Sequence, residues 1–426
     1  MEISVVGAGV VGCATAVGLA NQGHTMYLIE RDRSKVSAIL EGRWKSTEPD
    51  FVDNLKSTIK TERLTVSSEF NCQRKPEVVF VCVGTPSTND GVSELSFLYE
   101  AIDDIVQCCD GLCSPLIAVR STTPPGTLNT VAEHYRESLQ QQDSSMRMRI
   151  ASNPEFLREG DALNDFLHPN RILIGTDSKQ DSMILKQVYQ RIMAPIIEVS
   201  ISTAEMIKSA SNAFLATRVS FINEIGKLCK QLGIDTYEVA RGLGYDGRIG
   251  NQYLDAGLGF GGSCIPKDLR ALIHLYAEHN LSSPLLSSVQ EVNESQVQML
   301  ANLVEMRYAP LKRKRITILG LSFKPGTDTV IESPSISLIQ LLLKKGATII
   351  VHDPKAMEKA REVLGEQVEY ADTSRDAIHE GDFVIIATKW NEYTNPSLYQ
   401  EKVVIDARRA IDGLDIPKGI YEGLAW

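Results

Sequence analysis

Two spacings of apolar residues alternate along this chain: short unbroken runs of four to six, and longer stretches in which apolar positions recur every three or four residues. Ile3 to Val6 is such a run. A glycine turn follows, then an apolar stretch with helical spacing that ends near Gly23, then a second run, Met26 to Ile29, closed by Glu30. That order predicts a strand–helix–strand unit. Further runs at Val78 to Val83 and Leu116 to Val119, with helical patterns between them, predict a parallel sheet covered on both faces. The first domain is expected over residues 1–198.

The middle of the chain is patterned differently. Ser202, with Glu205 three residues on, reads as a capping box opening a long helix whose apolar positions Ile207, Ala210, Phe214, Ile222, Ile225 and Leu228 continue to Gly233. More helical sequence follows Asp235. This predicts a central helical region, 199–300, that links two lobes and offers a dimerisation surface. From Arg315 the opening pattern returns, with the run Ile316 to Leu319, a loop, a helix ending at Gly346, the run Thr348 to Val351, and Asp353. VVFVCVGTP (78–86) then corresponds in order to FVIIATKW (383–390), and LIAVRST (116–122) to VVIDARR (403–409). The predicted class is α/β: two Rossmann-like, doubly wound parallel-sheet domains joined by a central helical region with one long helix, the second lobe being 301–426.

Composition narrows the partners. A chain of 426 residues with 43% hydrophobic and 23% charged content is an ordinary globular protein, too long for one core. Its net charge of −10 argues against nucleic acid, so any phosphate must be held by a local site. Met1 leads straight into a strand pattern, and no apolar run approaches the length of a membrane span, so a cytoplasmic location without membrane partners is expected. That compartment is reducing, and Cys108, Cys109 and Cys113 are expected to be plain buried or surface thiols. Cys108, Cys109 and Cys113 cluster, but no second cluster completes a zinc site, and no metal is expected.

Against this background a few motifs carry chemistry. Gly7, Gly9 and Gly12, with Val10 and Val11 between the last two, form GAGVVG after a strand and at a helix start, where backbone amides receive a pyrophosphate. Glu30 ends the next strand, accepts hydrogen bonds from ribose hydroxyls and repels a 2′-phosphate, so the expected cofactor is NAD. Arg31, Arg33 and Lys35 nearby pull the other way. The second lobe lacks the three-glycine pattern and has GLSFKPGTD instead, with Lys324 placed to meet an anion. Two such lobes suit an enzyme whose cofactor and substrate are both nucleotides.

The most informative segment is GLGFGGSCIPKD, 257–268. Four glycines and a proline expose Cys264 on a backbone rich in available N–H groups, beside Lys267 and Asp268, where a thiolate nucleophile is stabilised. A tight turn around an incidental cysteine would fit the same residues. Lys208 and Asn212, four apart on the long helix, project from one face and are suited to stabilising a developing oxyanion; a solvated stripe is the plainer alternative. NPEFLREG places Glu155 and Glu159 four apart, and Thr122 closes a strand of the first lobe.

Taken together, GAGVVG, VGTP, RSTTPPGT, NPEFLREG, EMIKSASNAF, NEIGKL, GFGGSCIPKD and GLSFKPGTD make the chain resemble the UDP-glucose/GDP-mannose dehydrogenases over essentially its whole length. The resemblance implies a four-electron oxidation in which Cys264 captures an aldehyde, a second hydride transfer yields a thioester, and water releases an acid. Lys208 and Asn212 would stabilise oxyanions, Asp268 and Thr122 would hold the water, and Glu155 and Glu159 would orient that network. At the cofactor, the same resemblance implies Lys35, Gly84, Thr85, Pro86, Ser121, Glu159 and Lys267 besides the glycine loop and Glu30. At a UDP-sugar, it implies Glu155, Phe156 and Leu157, the loop residues Tyr253, Gly257, Phe260 and Gly261, and Phe323, Lys324 and Arg408. Arg248, in YDGRIG, would reach into a partner subunit's sugar site, making a homodimer functional. HPNRILIG is most like members that use UDP-glucose; GDP-mannose and UDP-N-acetylhexosamines are the alternatives.

Three positions depart from the family pattern. Val10 replaces a common tyrosine, Ile331 stands where an arginine contacting the cofactor is usual, and STEPDF keeps only part of an EPGL turn. None lies in the expected catalytic set. A one-step hydroxyacid dehydrogenase would share the first lobe and helical region without needing the cysteine loop, and a silent nucleotide-binding protein would share both lobes without turnover.

Overall fold

Strands β4 (Val78–Val81) and β5 (Leu116–Val119) are buried at every position, as continuous apolar runs require when both faces of a sheet are covered. The computed structural model describes residues 1–88, 90–411 and 420–426. Around those two strands, β1 (Glu2–Val6), β2 (Thr25–Ile29), β3 (Leu64–Ser67), β6 (Arg149–Ser152), β7 (Ile172–Gly175) and β8 (Ile196–Val199) complete an eight-stranded sheet in the order β3-β2-β1-β4-β5-β6-β7-β8. Its neighbours are parallel except β6 and β7, which meet antiparallel at Ser152 and Gly175. The expected parallel sheet holds over β1 to β6, and β7 and β8 extend its edge through that one antiparallel junction. The expected run to Val83 also stops at Val81, where the chain leaves β1.

A second sheet repeats the plan. β9 (Arg315–Leu319), β10 (Thr348–His352), β11 (Glu369–Tyr370), β12 (Phe383–Ile386), β13 (Val403–Asp406) and β14 (Ile420–Gly423) run all parallel in the order β11-β10-β9-β12-β13-β14. The first six strands of one sheet and the six of the other therefore follow one topology. In each, the first strand is flanked by the second on one side and the fourth on the other, so the loops after them part and leave a crevice at the carboxyl ends.

The helix Ile201–Leu232, 32 residues long, carries the chain onward from the first sheet. Two compact units, Met1–Ser211 and Asn212–Trp426, divide within it. The second unit adds the helices Thr236–Gly244, Ile265–Glu278 and Pro284–Tyr308 to its sheet. Among the described residues no helix is long and apolar enough to cross a membrane.

Two local expectations at this helix need correction. The capping box does not form: Ser200 lies at the helix start and its hydroxyl accepts from Thr203 N, while Ser202 receives a bond from Asn129. Glu205 is buried and accepts from Thr123 Oγ1, Gly126 N and Leu128 N, so it holds the start of the helix Thr127–Gln141. That distant helix presents unsatisfied amides to a carboxylate whose own helix has moved it out of reach of its cap. Secondly, Phe214 and Leu228 are exposed, not core. With Phe221 and Leu232 they form an apolar stripe at near seven-residue spacing.

Nor are all the cysteines thiols. Cys72 is joined to Cys108 across 36 positions, tying the turn Cys72–Arg74 to the helix Ser96–Cys109. The cluster at 108–113 was misleading because adjacent helical residues point apart while packing brought Cys72 alongside.

Candidate functional site

The glycine loop of the first unit has the shape of a phosphate cradle. Gly7 has φ of +99°, and a side chain there would meet the Cys82 carbonyl; one at Gly12 would lie 1.8 Å from the Gly7 oxygen. Gly9 differs, because an added Cβ would meet nothing within 4 Å. The helix Val10–Asn21 starts at this open space with no side chain capping it, so its first amides face an anion's place. Glu30 is buried and held from two sides, Oε2 accepting from Ala8 N at 3.1 Å and Oε1 from Asp32 N at 3.1 Å. A cavity of about 630 Å³ is lined by Gly7, Gly9, Glu30, Lys35 and Gly84. These residues fit NAD: an open cradle, available amides and a fixed carboxylate for the ribose.

Other expected cofactor residues frame this cradle. Thr85 Oγ1 donates to the Thr122 carbonyl at 2.8 Å and Ser121 Oγ to the Val83 carbonyl at 2.7 Å, so the loops after β4 and β5 are tied together. The Pro86 carbonyl accepts from Glu94 N, while Val10 is exposed and Val11 half-buried. Sequence reasoning missed Phe70, Phe97, Glu100 and Cys108 on the cavity wall. They come from segments with no motif, brought there only by the packing of the helix Ser96–Cys109.

Glu155 and Lys208 meet across 53 positions of the first unit. Lys208 Nζ donates to the Glu155 carbonyl at 2.8 Å and to Oε1 at 3.1 Å, and lies 5.2 Å from the centre of the Phe156 ring. Both side chains are buried. Glu155 Oε2 also accepts from Leu157 N. Residues 153–158 form a loop, so the spacing of Glu155 and Glu159 carries no helical meaning; Glu159, just past that loop, is half-buried.

In the second unit three loops meet around Cys264. The thiol is exposed and stands at the start of the helix Ile265–Glu278, whose amides and dipole favour a negative charge at that end. Asp268, in the first turn of that helix and buried, accepts from Asn212 Nδ2 at 2.5 Å and from Lys267 Nζ at 2.7 Å. Lys267, expected at the cofactor, is thus held by Asp268. A side chain at Gly261 would lie 2.2 Å from the Glu332 oxygen, Phe323 covers Gly262, and Arg408 Nη2 donates to the Gly259 carbonyl at 2.9 Å. Arg408 also donates to the Ala387 carbonyl, and one at Gly257 would strike the Ala407 oxygen. Lys324 Nζ lies 5.8 Å from the centre of the Phe323 ring.

Two asparagines hold the cysteine loop without having been singled out for it. Asn223 Oδ1 accepts from Gly257 N at 2.7 Å; Asn293 accepts from Phe260 N at 2.8 Å and donates to its carbonyl at 3.1 Å. Asn223 opens the motif NEIGKL without that motif naming its partner, and Asn293 is a polar residue on a helix with no motif around it. Arg248 stands exposed on Asp246, and the loop bearing it and Tyr253 is fixed by Arg218, which donates to the carbonyls of Ile249, Gly250 and Gln252.

Three other thiols are buried and held in the protonated form. Burial pushes Cys82 and Cys109 up to about 12 and Cys13 higher still, so these remain protonated at neutral pH. Among the described residues no group of three or more metal-binding side chains is assembled.

Comparison with known proteins agrees along the whole chain. Residues 1–193, 202–295 and 317–413 match the NAD binding, central and UDP binding domains of the UDP-glucose/GDP-mannose dehydrogenase family. The UDP-glucose 6-dehydrogenase of Rickettsia conorii is 34% identical over 98% of this chain and 97% of its own, and that of Rhizobium meliloti 36% over 92% and 90%. Among solved structures, a UDP-glucose dehydrogenase from Pyrobaculum islandicum superposes with a TM-score of 0.92 at 38% identity, covering 100% of this chain and 98% of that one. A UDP-D-ManNAc dehydrogenase from Pyrococcus horikoshii gives 0.85 at 25% identity, covering 100% and 99%.

Proposed function

Since the chain belongs to the UDP-glucose/GDP-mannose dehydrogenase family and is an NAD-dependent nucleotide-sugar 6-dehydrogenase, we propose that its substrate is UDP-glucose and its product UDP-glucuronate. The observation that carries the chemistry is Cys264, an exposed thiol at a helix start beside the Asn212–Asp268–Lys267 cluster. NAD, when bound, accepts a hydride in each of two oxidations.

In the first oxidation the C6 alcohol gives up a proton and becomes an aldehyde. The Cys264 thiolate adds to the aldehyde carbon, forming a C–S bond and an oxyanion that Lys208 and Asn212 stabilise as N–H donors. Loss of the second hydride leaves a thioester. Water held by Asp268 and Thr122 then attacks that carbon, the C–S bond breaks, and the acid leaves with the thiol restored. Two NAD and one water are consumed per sugar acid. Glu155 keeps Lys208 in place, and Glu159 belongs to the same network.

The remaining assignments belong to the same proposal. Residues 1–198 form the NAD-binding domain, 199–300 the central domain and 301–426 the UDP-sugar domain, in which Phe323, Lys324 and Arg408 contact the substrate. The exposed stripe of Phe214, Phe221, Leu228 and Leu232 supports a homodimer, with Arg248 completing the partner's sugar site. A cytoplasmic location accords with a nucleotide-sugar substrate.

The test is stoichiometric. With limiting UDP-glucose, two NADH should form per UDP-glucuronate; a ratio of one, with aldehyde as the final product, refutes the thioester route. Cys264→Ser should stop acid release while NAD still binds, and near-normal turnover in that variant would remove Cys264 from the mechanism. A panel of UDP- and GDP-sugars fixes the substrate.

A further inference from the structure

The three cations that follow Glu30 each face a different acid. Arg31 is ion-paired with Glu100, Arg33 lies 3.7 Å from Glu69, and Lys35 lies 3.8 Å from Glu30 itself. Arg31 also stands 5.1 Å over the Phe97 ring. Arg31, Lys35, Glu69, Phe97 and Glu100 share the wall of the same cavity as Glu30. Asp32 occupies the remaining anion position, its Oδ1 accepting from Ser34 N at 2.9 Å and Lys35 N at 3.4 Å at the start of the helix Arg33–Leu40.

These pairings bear on which dinucleotide is admitted. A 2′-phosphate is held best by a guanidinium near the end of the second strand, which supplies two parallel N–H donors and charge. Arg31, next to Glu30 in sequence, stands where such a group is needed. Its guanidinium is engaged by the Glu100 carboxylate, so a phosphate entering here must displace Glu100 and approach its negative charge.

We propose that Glu100 is a second specificity residue for NAD over NADP, acting through Arg31, with Glu69 reinforcing it at longer range. Glu30 repels the phosphate directly, and Glu100 withholds the cation that would attract it. Arg31 is in this view a latent phosphate ligand. The inference rests on NAD being the cofactor of this unit.

The test uses the full chain without substrate and reads binding, not turnover. Dissociation constants for NAD and NADP are measured by calorimetry and by displacement of bound NADH fluorescence. Glu100→Gln should lower the ratio of the NADP constant to the NAD constant by about fivefold, the upper range for releasing an ion pair whose partners are 68% and 52% exposed. The gain should shrink as salt is raised. In the double variant Arg31→Ala/Glu100→Gln it should vanish, because the cation that is released is then missing. A ratio within about twofold of the unaltered protein, or a gain that survives loss of Arg31, overturns the proposal. If the unaltered protein binds neither dinucleotide, the NAD reading itself fails, a result separable from the other two.

Discussion

Replacing Glu155 by glutamine keeps the shape of a buried side chain but removes the charge facing a buried ammonium. Lys208 Nζ would retain the main-chain carbonyl of residue 155 at 2.8 Å and face a neutral amide where a carboxylate oxygen now lies at 3.1 Å. Because the lysine and glutamate side chains are only 5% and 8% exposed, water cannot make up for the lost negative charge. Removing one member of such a pair costs about 3–5 kcal/mol. Unfolding entropy near 2.1 cal/mol/K per residue gives the N-terminal unit roughly 0.45 kcal/mol/K, so a loss of 3 kcal/mol lowers Tm by about 7 °C. Differential scanning calorimetry at neutral pH reads this directly. The double variant Glu155→Gln/Lys208→Met no longer buries the ammonium and should recover most of the loss, with a coupling of at least about 2 kcal/mol in the cycle. A drop of less than about 2 °C in the single variant, or strictly additive losses, would show that the pair is solvated and that its geometry does not fix Lys208.

The glycine loop gives a contrast. Gly9→Ala should fold normally, since its methyl enters open space, yet weaken NAD binding by more than about tenfold, whereas Gly12→Ala, 1.8 Å from a carbonyl, should lose stability as well; equal behaviour in thermal shift and titration would contradict the cradle. Burial raises the Glu205 carboxyl from 4.5 to about 7. A raised carboxylic pKa favours the protonated folded state, so stability from this group is present below pH 4.5 and falls by roughly 3 kcal/mol as pH rises to 7. Thermal melts of Glu205→Gln should lack that decline, and a constant difference between the two proteins at pH 5 and 7.5 would exclude it. Reduction of Cys72–Cys108, a link across 36 positions, should cost about 4 kcal/mol and lower Tm in the unaltered protein but not in Cys72→Ala. An unchanged Tm on adding dithiothreitol would refute the link.

Much of the architecture was legible from local pattern. β1 and β9, followed respectively by Gly7 and Gly320, open equivalent sheets because a buried strand must be a short apolar run and a crossover helix must return an apolar face to it. The cysteine loop was legible as an irregular, glycine-rich segment, although its residues alone fitted a tight turn as well as a nucleophile. Other features were hidden. Phe214 and Leu228 were read as core because helical spacing marks an apolar face without saying what covers it. Glu205 looked like its own helix's cap until the surrounding backbone proved otherwise.

By itself, then, the sequence carried what is periodic or close in the chain: strand and helix order, the glycine turn after the first strand and the acid at Glu30 closing the second, whereas the helix that starts just after Cys264 was not foreseen. Tertiary packing alone decided which groups meet across long separations: Lys208 with Glu155, Asn293 with Phe260, Cys72 with Cys108, and Arg31 with Glu100. The reason is one of range. Backbone periodicity constrains residues within four positions of each other, whereas a carboxylate carries no mark in its own neighbourhood of the cation that folding will bring to it.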